Sequence, residues 1–313
     1  MPVGSIPSTA AGDGLTPREP GAPSVRPARR RFDWSFLGVV PFFLFAFVFM
    51  IFPIGYLIAG SFKDSNNNDA FTLQNYADLG TAQVGRAFAN SIEISLVTAI
   101  AGAILGLLLA YAIILGGLPN FLRGFVVTFA GVASNFAGIP LALAFIFTIG
   151  QLGLVTVWLN NLFGIQLYQS GTFTIYSKLG IEIVYLYFQL PLMVLIIAPA
   201  LDGLKKEWRE ASENMGASSR QYWQYVALPI LTPSILGCAV LLFGNAFGAQ
   251  ATAYQLTGGQ VPIVTLLIGA QISGDVLHNP GLGYAMAMGM VVIMGLAILA
   301  YSILQRRSER WLR

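Results

Sequence analysis

Asp202-Gly203-Leu204-Lys205-Lys206-Glu207-Trp208-Arg209-Glu210-Ala211-Ser212-Glu213-Asn214-Met215-Gly216, continued by Ala217 through Pro229, is a polar stretch between two long apolar runs. Leu204, Trp208, Ala211 and Met215 recur at helical spacing on one stripe. Lys206 with Glu210, and Arg209 with Glu213, are opposite charges four residues apart on the other faces. The spacing predicts a short amphipathic helix. Gly216 supplies the permissive backbone that ends such a helix, and a second short helix from Ser218 is expected to run to Leu228-Pro229.

The flanking runs are two of six. Phe36–Ala59, Ile92–Leu115, Phe125–Ile149, Ile181–Leu201, Ser234–Leu256 and Tyr284–Leu304 are each long enough to cross a hydrocarbon core about 30 Å thick. They do not alternate apolar with polar residues, as a membrane strand would, so they are expected to be helices. The fold class is therefore all-α and polytopic. Of the 313 residues 56% are hydrophobic and 10% charged, against about 25% charged in a soluble domain. Mean hydropathy is +0.69. One membrane domain, 32–313, is the expected organisation, with a loop at 202–229.

Residues 1–31 are rich in Pro, Gly, Ala, Ser and Arg and show no apolar periodicity, so a disordered basic tail is expected. The tail lacks the apolar core of a cleavable signal, and Phe36–Ala59 is too long to be one, so that segment is expected to stay as an anchor. With the N-terminus inside, all of the 17 Lys and Arg residues except Lys63, Arg86 and Lys178 fall on the inner side. The positive-inside rule gives both termini inside and the 202–229 loop inside. The net charge of +3 thus reads as a topology signal and not as a nucleic-acid surface. Cys238 is the single cysteine and His278 the single histidine, so no intrachain disulfide and no thiolate or imidazole cluster for a metal is expected.

Amphipathicity alone also fits a helical hairpin resting on the membrane surface. The spacing of Glu210-Ala211-Ser212, then Gly216, then Val226-Ala227-Leu228-Pro229 goes further. It resembles the Glu-Ala-Ala…Gly…Ile-x-Leu-Pro signature of permease subunits in binding-protein-dependent ATP-binding cassette (ABC) importers, with Ser212 for the second Ala and Val226 for Ile. The resemblance extends over roughly residues 36–305. It implies the type I importer permease fold in a bacterial inner membrane, and a loop that acts as the coupling helix on an ATPase. It also implies as partners two ATPase subunits, a second permease subunit (a similar chain or a second copy of this one) and an external solute-binding protein. No cofactor is implied. The stretch Asn135-Phe136-Ala137-Gly138-Ile139-Pro140-Leu141-Ala142, with Gly150 and Gly153, looks most like the branch that includes polyamine, phosphonate and ferric-iron permeases.

Polar side chains at bilayer depth normally face a protein interior or a wet cavity. Asn135, Gln189, Asn245 and Gln250 are the candidate lining of a solute path, or else amides that bond neighbouring helices. Pro140 is expected to loosen the third span by removing a bond to the Phe136 carbonyl. Glu93 and Glu182 read as caps of helix N-termini, or else as groups that attract a cationic solute. Gly102 with Gly106, and Gly244 with Gly248, are candidate close-packing pairs. No Gly-x-x-x-x-Gly-Lys-[Ser/Thr] loop occurs, so ATP hydrolysis is expected of a partner and this chain is not expected to be an enzyme. A secondary transporter or channel driven by an ion gradient is the alternative. It needs carboxylates deep in the spans and commonly shows internal repeats, neither of which the sequence offers. An intramembrane enzyme would need a His partner for a Ser or Cys nucleophile, or a zinc set, and the sequence has neither.

Overall fold

A segment surrounded by lipid has no water to satisfy its N–H and C=O groups, so apolar runs of this length fold as helices. The computed structural model describes residues 38–64, 70–168, 173–274 and 278–309, and their regular structure is helical. The tail 1–31 lies outside the described residues. Six stretches are long and apolar enough to cross a membrane: Val40–Ser61, Ala82–Ile114, Gly138–Phe163, Lys178–Asp202, Ser219–Gly248 and Pro280–Arg306.

The described residues up to Met50 and those from Ile51 onward form two compact units. The first contains α1 (Val40–Ala46), which buries none of its residues and exposes Phe42, Phe43, Leu44 and Phe45, as suits an apolar solvent. The second contains α2 (Phe52–Ser61), α3 (Gln74–Asp78), α4 (Ala82–Ile114), α5 (Asn120–Asn135), α6 (Gly138–Ile149), α7 (Leu154–Phe163) and α8 (Lys178–Asp202). After these come α9 (Lys206–Asn214), α10 (Ser219–Tyr222), α11 (Leu228–Gly248), α12 (Ala251–Thr257), α13 (Val264–Ser273) and α14 (Pro280–Glu309).

The centre of the second unit is α4 against α8, with α11 packed on both. Small residues make this possible. Ala99, Ala103 and Ala110 are buried against Met193, Val194 and Ile197. A Cβ added at Gly106 would lie 2.5 Å from Cβ of Met193, and one at Gly102 3.0 Å from Cβ of Gln189. The Gly102/Gly106 pair therefore marks a helix interface. The Gly244/Gly248 pair does so only in part, because a Cβ at Gly244 meets the flexible Met294 tip and one at Gly248 meets nothing within 4 Å.

Two of the expected spans are not continuous. The third, expected over Phe125–Ile149, breaks at Phe136-Ala137 into α5 and α6. Pro140 does not loosen the middle of a helix but sits in the first turn of α6, where its missing N–H would have been unpaired anyway. The fifth, expected over Ser234–Leu256, breaks at Ala249-Gln250 into α11 and α12. Glu93 and Glu182 cap nothing. Glu93 pairs with Lys178, and the N-terminus of α8 is capped by the hydroxyl of Ser177, which accepts the Gly180 N–H at 3.4 Å.

Gly106→Val should test the central interface. Overfilling a packed contact costs about 1–3 kcal/mol, so the detergent-solubilised protein is expected to melt several degrees lower, whereas Gly248→Ala should melt as the parent does.

Candidate functional site

The polar stretch after α8 folds into an elbow. α9 ends in a left-handed residue, Gly216, at φ +82°. The Gly216 N–H donates to Glu213 O at 2.9 Å and the Ala217 N–H to Ser212 O at 3.0 Å, the paired closure that satisfies the last carbonyls of a helix. Ser218 then opens α10, with its hydroxyl accepting the Gln221 N–H and the Gln221 side chain accepting the Ser218 N–H. The chain does not stop at Leu228-Pro229 as expected. It widens into a π turn, Trp223–Ala227, and continues into α11, with Pro229 in the first turn. A proline ring would collide with the carbonyl four residues back in regular α-helix, and the wider turn makes room for it.

Ser212 is the one residue of α9 that is buried, and its hydroxyl donates to Arg209 O at 2.7 Å. The apolar stripe divides: Leu204, which precedes α9, packs on the core, while the rest points away from the protein. Met215 is 82% exposed, and Trp208 and Ala211 are exposed with it, as is Glu210. Arg209 donates to Glu213 at 2.9 Å, and this bond holds its guanidinium above the ordinary arginine value. The expected Lys206–Glu210 pair is not formed among the described residues.

The elbow is braced at both ends. Arg123 at the start of α5 donates to both carboxylate oxygens of Asp202, at 2.6 and 2.7 Å. The half-buried Leu204 and Trp223 pack on the core formed by α4, α8 and α11. The Trp223 ring stands perpendicular to Tyr111, with centroids 4.9 Å apart. Val226 is half-buried within the π turn, while Leu228 and Pro229 are exposed at the start of α11. Sequence reasoning counted Arg123 only as a topology charge, because its partner lies 79 residues away.

The two helix breaks meet. The Thr252 hydroxyl accepts the Gly138 N–H at 2.9 Å and lies 3.3 Å from Gly138 O, and the Tyr185 hydroxyl donates to Ala249 O at 2.7 Å. Tyr185 lies two turns after the start of α8, which places the breaks about 10 Å from that end of the helix. Beside them is a cavity of about 420 Å³ whose wall includes Ser134, Gly138, Asn245, Gly248, Gln250 and Thr252. Every one of those side chains is uncharged.

Asn245 and Gln250 thus come together at one cavity. Asn135 ends α5 next to it, with its amide turned back to Gly131 O at 2.9 Å. Gln189 is elsewhere. It is 0% exposed, lies between α4 and α8, and donates to the Thr98 hydroxyl at 3.1 Å. Gly102 leaves the room that brings the Gln189 backbone so close to α4. Thr252 and Tyr185, which hold the breaks, went unnoticed in the sequence. The signal available was a Gly, a Gln and a Thr close together inside an apolar run, Gly248 to Thr252.

No established family model matches the chain. Known proteins do. The probable sulfate transport system permease protein cysT of Nephroselmis olivacea is 25% identical over 227 residues, 72% of this chain and 73% of its own length. The spermidine/putrescine transport system permease protein PotB of Haemophilus influenzae is 30% identical over 139 residues, 42% of this chain and 47% of its own length. A solved bacterial ABC transporter involved in import of the acidic polysaccharide alginate has a chain that superposes with a TM-score of 0.69 at 16% identity, covering 88% of this chain and 96% of that one. The fold is that of a polytopic helical membrane protein with six helices long and apolar enough to span. In sequence and in fold the chain is similar to permease subunits of ABC importers.

Thr252→Val should remove the group that satisfies the Gly138 N–H. Leaving a buried donor unpaired costs about 1–3 kcal/mol, so a clear fall in melting temperature is expected, while Thr252→Ser, which keeps the hydroxyl, should recover most of it.

Proposed function

We propose that this chain is the permease of an ATP-driven importer in a bacterial inner membrane, taking a small charged solute handed over by an external binding protein. In this reading the 202–229 elbow docks in a cleft of a partner ATPase, two ATPase subunits serve two permease subunits, and the second permease is a similar chain or another copy of this one. The chain itself hydrolyses nothing. The observation that carries the reading is the orientation of α9, which turns Trp208, Ala211 and Met215 outward while its small Ser212 faces the protein. An exposed apolar stripe on a braced helix is what a partner surface can grip. The Gly216 turn and the packing of Leu204 and Trp223 let that grip move α8 and α11 instead of bending the loop.

Solute passage is assigned to the cavity at the paired breaks, with Asn245 and Gln250 on its wall. Irregular backbone within a membrane is tolerated where it lines such a space. An uncharged wall of amides and hydroxyls can donate or accept, so the sign of the solute is left to the binding protein. Polyamines are the first candidates, from the likeness of Asn135–Ala142 to polyamine, phosphonate and iron permeases. Sulfate follows from the relative named for it. The alginate transporter of similar fold has been solved with a periplasmic protein that carries an alginate pentasaccharide, a pattern of delivery that suits the same role here.

The test is reconstitution with the ATPase and binding protein, followed by stimulation of ATP hydrolysis by spermidine, putrescine, an aminophosphonate, ferric iron and sulfate. Stimulation by none of them in an assembled complex would overturn the importer reading. Gly216→Pro cannot hold φ at +82° and loses the N–H bonded to Glu213. The ATPase should no longer co-purify with it. Asn245→Ala should lower the rate of uptake, whereas Asn135→Ala, whose amide is already bonded within α5, should leave it near the parent value.

A further inference from the structure

A second cavity lies on the outer side of the first. It has a volume of about 550 Å³ and is walled by residues that include Gln83, Tyr254, Pro262, Leu266 and Ser273. The two cavities have one wall residue in common, Gln250. Its backbone is held firmly. Ala249 before it is bonded to the Tyr185 hydroxyl, Thr252 after it to Gly138, and the Gln250 carbonyl accepts the Tyr254 N–H at 2.9 Å. Its side chain is not held. Among the described residues the Gln250 amide makes no hydrogen bond, and it rests beside Gly269 of α13, where an added Cβ would lie 3.0 Å from Nε2. Gly269 thus leaves a notch that the amide occupies.

We propose that Gln250 is the outer gate of the path, a side chain on an anchored backbone that separates an outer vestibule from the cavity at the helix breaks and opens by swinging out of the Gly269 notch. The direction of solute flow through this gate rests on the importer reading; the partition itself does not. A glutamine suits the task because its amide can bond a passing polar solute in place of water. α13 sets the other jamb; its start is tied to α4, where the Val264 N–H donates to the Ser91 hydroxyl at 2.8 Å, so the notch opens or closes by movement at its Gly269 end.

The partition can be tested without knowing the solute. Asn245→Cys places a thiol on the inner cavity wall, and Cys238, buried at 3% exposure, stays out of reach of reagent. In the assembled transporter in right-side-out vesicles, a charged, membrane-impermeant thiol reagent added outside is expected to label Asn245→Cys slowly. Adding Gln250→Ala should raise the rate several-fold. Gln250→Met, which keeps the length and loses the amide, should restore slow labelling. The same rate with glutamine and alanine at 250, in proteins of equal melting temperature, would overturn the gate, as would fast labelling with methionine. If no solute stimulates ATP hydrolysis but the labelling follows this order, the importer reading fails and the gate stands.

Discussion

Every polar group of a backbone placed in lipid must find a partner within the protein, and that constraint decides where this chain is allowed to be irregular. Its two breaks occur side by side. The Gly138 N–H, released where α5 gives way to α6, is taken by Thr252 just past the break between α11 and α12, and the Ala249 carbonyl at that second break is taken by Tyr185 of the unbroken α8. Neither break could stand alone at this depth without a bare donor or acceptor, at a cost of about 1–3 kcal/mol for each group. The pairing turns a liability into a cavity wall, and the straight helices α4 and α8 supply the rigid backing.

The elbow and the cavity lie at opposite ends of the same rods. α11 runs from the π turn of the elbow to Gly248 at the break, 21 residues or about 31 Å. α8 runs from Tyr185, bonded to that break, to Asp202, bonded to Arg123 at the start of the elbow. A displacement applied at α9 therefore reaches the break along two stiff helices, with little loop between them to absorb it. The close contact at Gly102 and Gly106 keeps α8 registered on α4 as this happens.

The sequence displayed the number of spans and the elbow because both depend on local pattern, although the third and fifth spans run over Gly138–Phe163 and Ser219–Gly248 and not where expected. Length and apolarity mark a span, and a glycine at the end of an amphipathic run marks a turn. The breaks were not legible in the same way, since hydropathy reports composition and not backbone continuity. Ser234–Leu256 is equally apolar whether or not it parts at Ala249-Gln250. The bond that compensates the break joins residues 114 apart. Amide residues posed a different difficulty. Gln189 and Gln250 look alike in sequence, yet the rotation of α8 buries one against Thr98 while the start of α12 presents the other to two cavities. Of the expected stripe, Trp208, Ala211 and Met215 share an exposed face while Leu204 precedes α9 and packs on the core, because amphipathicity names a face without naming what it faces.

Magnitudes also decide what holds the elbow. The Arg123–Asp202 pair has good geometry, but both side chains are a third to a half exposed, and such pairs contribute about 0–1 kcal/mol. Burying a large apolar side chain fully contributes about 1.5–3 kcal/mol, so even half-buried Leu204 and Trp223, with the perpendicular Tyr111 contact, outweigh the ion pair. The ion pair sets the direction in which α8 hands over to the elbow, while apolar packing and the closed Gly216 turn provide the stiffness. Stiffness of that origin is not screened by salt.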